Sequence, residues 1–185
     1  AMAAPAAQVV HVDINKTFLN LAKDSYALNG FPVKKADFLA ANFFEAAGRL
    51  KKDGRLFDCL FLDPPFFSKT EGGTVDLESE SARLINKARP LIGDGGFLVA
   101  VNNALFLSGA EWMKTLQGLC QDGYLEFGET IPVPEDVTGY PDTVVAAPPV
   151  DPAPFNHPTK IAVLRVRRRA PTGADRGPRP RRGAR

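Results

Sequence analysis

The chain has 185 residues, 44% of them hydrophobic, and a formal charge of +2; this is enough for one sizeable core. No apolar run approaches the roughly 20 residues that a membrane-spanning helix needs. The charge is unevenly placed: from Arg165 onward nine arginines meet one aspartate, +8 there and hence −6 in the remainder of a +2 chain. A globular domain over 1–166 is therefore expected to carry a basic, disordered tail over 167–185.

The opening Ala1-Met2-Ala3-Ala4-Pro5 has neither the basic nor the apolar region of a secretory signal. Val9 to Asp13 is a short β-branched run ending in an acid, and Asn15 opens an amphipathic stretch through Phe18, Leu19, Ala22, Tyr26 and Leu28 that predicts strand then helix. Asn29-Gly30 stops the helix. Phe31 to Ala36 is a second strand candidate leading to Asp37, and Leu39 to Leu50 reads as helical. Phe57 to Leu62 is almost wholly apolar, as expected for a strand covered on both faces, and it ends at Asp63. A loop with Gly72-Gly73 precedes a helix near Leu77 to Arg89, and Gly93-Asp94-Gly95-Gly96 turns into a strand over Phe97 to Val101, closed by Asn102-Asn103. A helix around Gly109 to Gln121, a weak strand near Leu125 to Ile131, a proline-rich irregular loop over 132–158 and a strand over Lys160 to Val166 complete the pass. Strands alternating with helices at this spacing predict an α/β, Rossmann-like doubly wound sheet, with ligands gathered beyond the carboxyl ends of the strands. Asp13, Asp37, Asp63 and Asn102 would then face one crevice.

Each of these residues has a chemical reading and a structural one. A carboxylate just past a strand can accept both hydroxyls of a ribose, which suits Asp13 with Ile14 beside it; it can equally cap the helix that begins near Asn15. Asp37 and Phe38 offer a carboxylate for an adenine amine and a ring beside it, or another helix cap. Asp63-Pro64-Pro65-Phe66 is more specific. Two prolines remove both backbone donors and hold the chain extended, leaving the Asp63 carboxylate and neighbouring carbonyls as acceptors for an amine. Phe66 or Phe67 adds a ring on which an unstacked base could rest. The structural alternative is a rigid turn with two rings tucked into the core.

The series His11-Val12-Asp13, Leu28-Asn29-Gly30, Lys35-Ala36-Asp37, Leu62-Asp63-Pro64-Pro65, Gly95-Gly96 and Asn102-Asn103 resembles class I S-adenosylmethionine-dependent methyltransferases that modify bases of large-subunit ribosomal RNA. The resemblance covers most of Val9 to Arg165. It implies that S-adenosylmethionine is the cofactor, with Asp13 and Ile14 at its ribose, Asp37 and Phe38 at its adenine, and Asp63 to Phe66 between its methionine moiety and the acceptor. Phe67, Ser68, Lys69, Asn102 and Asn103 would border an RNA substrate. The family's first strand and Gly-x-Gly loop are expected upstream of Val9, where only eight residues stand. The chain is accordingly expected to be the C-terminal part of such an enzyme, with unpaired edges on the strands ending at Asp13 and Asp63.

Two cysteines, Cys59 and Cys120, and two histidines, His11 and His157, match no metal-ligand spacing, so no metal is expected. A reducing compartment follows, cytoplasmic or organellar. Methylation at C5 of a pyrimidine needs a thiolate nucleophile, yet Cys59 falls inside a predicted strand and Cys120 at a helix end, both read as core positions. A nitrogen acceptor needs only alignment and acceptors that orient the amine, and is favoured. The rivals are a methyltransferase for a protein or small-molecule amine, and an inactive fragment. A nicotinamide-dependent dehydrogenase would share Asp13 but leave Asp63-Pro64-Pro65-Phe66 without a purpose. The arginines of the tail would suit phosphate contacts or a solvated extension alike.

Overall fold

A computed structural model of the chain describes residues 6–70, 73–138 and 146–168. It divides into two compact units, one of residues 1–55 and 69–74, the other of residues 56–68 and 75–185.

In the first unit, β1 (His11–Asp13) pairs in parallel with β2 (Phe38–Ala40), with His11 opposite Phe38 and Asp13 opposite Ala40. Between them runs α1 (Lys16–Leu28), which begins where the Asn15 side chain accepts from the Thr17 N–H at 2.9 Å, one of the donors a helix start leaves unsatisfied. It ends at Asn29-Gly30, with Gly30 at φ +72°, a conformation that glycine adopts without steric cost. The helix α2 (Phe43–Lys52) is capped by Asn42, which accepts from Glu45 N–H at 3.0 Å, and it buries Ala46, Ala47 and Leu50. An aromatic cluster binds α1 to the strands: the His11 ring stacks on Phe38 at 5.0 Å and meets Tyr26 edge-on at 5.4 Å.

The second unit is built on a four-stranded sheet in the order β3 (Phe57–Leu62), β6 (Ile92–Asn102), β8 (Lys160–Val166), β7 (Leu125–Thr130). β3 and β6 are parallel, and β8 runs antiparallel to both of its neighbours. Leu84 of α3 (Ser81–Ala88), Leu98 of β6, Leu116 of α4 (Gly109–Cys120) and Leu164 of β8 have no exposed surface and form the centre of its core. Burying a side chain of this size contributes about 1.5–3 kcal/mol. α4 starts on a capping box, in which Ser108 and Glu111 each satisfy the other's backbone N–H. The segment 146–158 returns onto α4: Gly109 N–H donates to Asp151 O at 3.0 Å and the Phe155 ring lies 5.2 Å from that of Trp112. The strands β4 (Phe67–Thr70) and β5 (Gly73–Asp76) pair as a hairpin.

Several expectations are corrected. Phe31 to Ala36 is not a strand; Phe31 and Val33 are exposed, and a single 3-10 turn over Lys35–Asp37 leads into a strand that starts only at Phe38. β3 is not covered on both faces, since Asp58, Cys59 and Phe61 are exposed, Phe61 by 73%, and β6 is its one paired neighbour among the described residues. Gly73 begins β5, and Gly72 lies outside the described residues. Gly93 to Gly96 do not precede a strand but lie within β6, and at Gly96 a Cβ would come within 2.8 Å of Asp58 O, so a glycine there permits the close approach of β6 to β3. The loop over 132–158 includes a short helix, α5 (Glu135–Thr138). No described helix is long and apolar enough to cross a membrane. Most of the arginine tail lies outside the described residues; Arg167 and Arg168, at its start, are held by Tyr124 O and the Asp94 carboxylate.

Candidate active site

At the carboxyl edge of the first unit's parallel pair, the Asp13 carboxylate accepts the Asn15 N–H through Oδ1 at 2.6 Å. That bond fixes the carboxylate at the turn into α1, while the helix itself is capped by the Asn15 side chain. The two readings of Asp13 are thereby separated: its Oδ2 has no hydrogen-bond donor among the described residues, and Ile14 beside it is 62% exposed. A free carboxylate oxygen next to an exposed apolar side chain suits a ribose diol carrying a planar base.

Asp37 and Phe38 stand elsewhere. Because β2 starts at Phe38 and runs parallel to β1, both residues lie at the amino end of the pair, opposite to Asp13. Asp37 is buried and accepts the Gln8 side-chain amide at 2.6 Å, and Phe38 is buried against the His11 ring. Both pack within this unit, away from the edge where the Asp13 carboxylate stands. The edge beside Asp13 is made instead by Ala41, whose N–H donates to Asp13 O at 3.1 Å, and by Asn42. Sequence reasoning missed this edge because a three-residue strand was placed one turn too early. Burial lowers the pKa of His11, against the opposing pull of Asp37.

In the second unit, Asp63 follows Leu62 at the carboxyl end of β3, with its side chain exposed. Pro64 is half-buried and, with Leu62, Leu77 and Trp112, lines a small cavity under the motif. The rings of Phe66 and Phe67 are 42% and 59% exposed, which excludes the reading of two rings tucked into a core. The backbone behind them is fixed: Leu77 N–H donates to Phe66 O at 3.1 Å, closing the base of the β4–β5 hairpin. Ser68 is half-buried and Lys69 exposed on β4. This arrangement presents one carboxylate and two aromatic faces to solvent from a rigid, donor-poor turn. It can orient a planar amine.

Asn102 and Asn103 do not line an open surface together. Asn102 is fully buried and its amide is committed at both ends, donating to Leu77 O at 3.0 Å and accepting from Ala104 N–H at 2.9 Å. Asn103 is half-buried, and its Oδ1 has no partner among the described residues. His157 accepts the Thr159 N–H through Nδ1 at 3.0 Å and so shapes the turn before β8. Cys59 is exposed and Cys120 half-buried, which corrects their reading as core residues. Partial burial nevertheless pushes both thiols up, aided at Cys59 by the Asp58 charge, so neither is primed as a thiolate. The residue that sequence reasoning passed over is Lys160, 1% exposed, whose pKa is lowered by burial. Its signal was its phase: along β8 it alternates with buried Ala162, Leu164 and Val166.

Among known proteins, the family model of S-adenosylmethionine-dependent methyltransferases matches residues 1–145. Ribosomal RNA large subunit methyltransferase K/L of Psychrobacter arcticus is 37% identical over 107 residues, 56% of this chain and 14% of that protein. Ribosomal RNA large subunit methyltransferase I of Photobacterium profundum is 26% identical over 148 residues, 77% of this chain and 37% of that protein. The chain thus spans well under half the length of these relatives. Two crystal structures share its fold: SMU.776 complexed with SAH, with a TM-score of 0.69 at 16% identity over 87% of this chain and 40% of that one, and a SAM-dependent methyltransferase from Agrobacterium tumefaciens, with 0.57 at 17% identity over 87% and 49%. Both confirm the Rossmann-like α/β class read from the strand and helix alternation. With the family model covering more than half of its residues, the chain belongs to the S-adenosylmethionine-dependent methyltransferase family.

Proposed function

We propose that this chain contributes to S-adenosylmethionine-dependent methylation of a base in RNA, ribosomal RNA first, at a nitrogen atom. When bound, the cofactor supplies a sulfonium methyl as the electrophile. In the first unit, Asp13 would accept the ribose hydroxyls through its open oxygen and Ile14 would pack on the base, roles the donor set fits without any change of side-chain partners. In the second unit, Asp63 would accept an N–H of the acceptor amine and so fix the direction of the nitrogen lone pair, while Phe66 and Phe67 would hold the base plane. The prolines between them keep competing backbone donors away from the carboxylate.

The observation that carries this reading is the exposed Asp63 carboxylate flanked by two exposed rings. The raised thiols support nitrogen over pyrimidine C5 as the acceptor, and the naming of two relatives as ribosomal RNA methyltransferases supports RNA over a protein or small-molecule amine. The test is transfer of a labelled methyl group by the full-length protein to ribosomal RNA, a protein extract and small amines in parallel. Label in RNA, reduced at least a hundredfold by Asp63→Ala with cofactor affinity kept, is the expected result. Normal turnover in that variant would remove Asp63 from the acceptor site.

A further inference from the structure

Four hydrogen bonds, each continuing from the residue where the last ended, join the start of β8 to Phe66. Lys160 Nζ, at the start of β8, donates to Ala104 O at 2.9 Å and to Pro158 O at 2.6 Å. Ala104 N–H donates to Asn102 Oδ1 at 2.9 Å, Asn102 Nδ2 donates to Leu77 O at 3.0 Å, and Leu77 N–H donates to Phe66 O at 3.1 Å. Lys160, Ala104, Asn102 and Leu77 are each at most 2% exposed. The placement is costly. A lysine buried this far without a carboxylate partner among the described residues gives up hydration that two carbonyls replace only in part, and its lowered pKa records that cost. A side chain that served packing alone would do so better as methionine or leucine.

We infer that Lys160 and Asn102 are positioning residues for the acceptor motif, holding the base of the β4–β5 hairpin, and with it the Phe66 and Phe67 rings, against the end of β6. The inference rests on the proposed function for what the rings receive, but not for the relay itself. Lys160 holds the peptide group that follows Ala104, the N–H of the peptide group that precedes it orients the Asn102 amide so that its nitrogen and not its oxygen faces Leu77 O, and Leu77 carries a donor to Phe66 on one side of its Cα and an acceptor for Asn102 on the other. The coupling is positional: the links meet at the Cα atoms of Ala104 and Leu77, so freeing the Ala104 carbonyl lets residue 104 shift in a close-packed interior and loosens the bonds that follow.

The test is Lys160→Met in the full-length protein, with Val166→Ala as a control on the same strand but outside the relay. Hydrogen exchange of the Leu77 amide and the kinetics of RNA methylation are read in both. Lys160→Met is expected to speed Leu77 exchange at least tenfold beyond the control at matched loss of global stability, and to raise KM for RNA at least fivefold with cofactor affinity unchanged. If Lys160→Met does not fold, Asn102→Asp carries the same readouts: it keeps the acceptor for Ala104 N–H, removes the donor to Leu77 O, and places its charge opposite Lys160 in the β6–β8 register. Leu77 exchange equal to the control overturns the relay whatever the activity. Faster exchange with unchanged KM overturns the positioning role. If the wild-type protein methylates no RNA, the proposed function fails, while the exchange measurement still rules for or against the relay.

Discussion

Two glycines of α4 give substitutions of the same kind with opposite expected signs. At Gly109 a Cβ would sit 1.9 Å from Pro152 O and 2.4 Å from Ala153 O, both backbone atoms. An ordinary C···O contact needs about 3.3 Å, so the 151–155 segment must retreat by roughly 1.4 Å. That retreat strains or breaks the Gly109 N–H to Asp151 O bond and parts the Phe155 ring from Trp112. Overpacking costs about 1–3 kcal/mol, the hydrogen bond about 1 kcal/mol and the ring pair about 0.5–1.5 kcal/mol; since relief of the first is what incurs the others, about 3 kcal/mol is expected for Gly109→Ala. Gly118, in the same helix, has nothing within 4 Å of its Cβ position, so Gly118→Ala should stabilise by about 0.5–1 kcal/mol through the lost backbone freedom of the unfolded chain. Urea unfolding followed by Trp112 fluorescence reads both. With a slope of about 2 kcal/mol/M, Gly109→Ala should lower the midpoint by roughly 1.5 M and Gly118→Ala raise it slightly. A Gly109→Ala midpoint equal to or above that of the native protein would refute the packing of 151–155 on the start of α4.

The first unit offers a paired test of the cofactor assignment: Asp13→Asn keeps an acceptor for Asn15 N–H but loses the charge, and should weaken S-adenosylmethionine binding about tenfold by calorimetry, or about 1.4 kcal/mol. Asp37→Asn should leave that affinity within about twofold, because its carboxylate faces Gln8 at the other end of the strands. The double variant Cys59→Ser and Cys120→Ser should retain full methyl transfer; its loss would move the acceptor from nitrogen to carbon. The lowered pKa of His11 means that the unfolded chain binds a proton near pH 6.5 that the folded one takes up only at lower pH. Stability should therefore fall as pH drops from 6.5 through the folded value and be independent of this group above it. His11→Phe, which keeps a ring on Phe38, should flatten that part of the pH profile of unfolding.

The parts of the fold that sequence disclosed were those where periodicity and capping agree. Phe57–Leu62 and Lys160–Val166 are strands at the expected residues, and Asn15 and Asn29-Gly30 bound α1 as their side chains dictate. Where the two signals parted, the reading slipped. Phe31 to Ala36 contains Val33 and two aromatic or apolar neighbours but also Pro32, Lys34 and Lys35, and the strand that pairs with β1 is only Phe38–Ala40. That slip placed Asp37 and Phe38 at the carboxyl edge beside Asp13, whereas they lie at the amino end of the pair. Phe57–Leu62 shows a different limit: an apolar run reports that side chains suit a sheet, and Phe61 and Cys59 are exposed here all the same, because hydrophobicity does not specify which neighbours a strand has. Asn102 was legible as a functional position and not as a buried one. Its amide is consumed by backbone groups 25 and 2 residues away in sequence, and only the folded chain shows the first of these.

β8 runs antiparallel to β6, so Lys160 begins it beside Asn102 and Val166 ends it beside Leu125 at the opposite end of the sheet. Seven residues at about 3.3 Å each place Arg167 roughly 20 Å from the end of the sheet where Asp63 lies. In an RNA complex, a phosphate met by Arg167 or Arg168 would belong to a nucleotide several steps removed from a base held at Asp63. The share of the ionic-strength dependence carried by these two arginines and the choice of target base would then be properties of opposite ends of one strand, alterable one without the other.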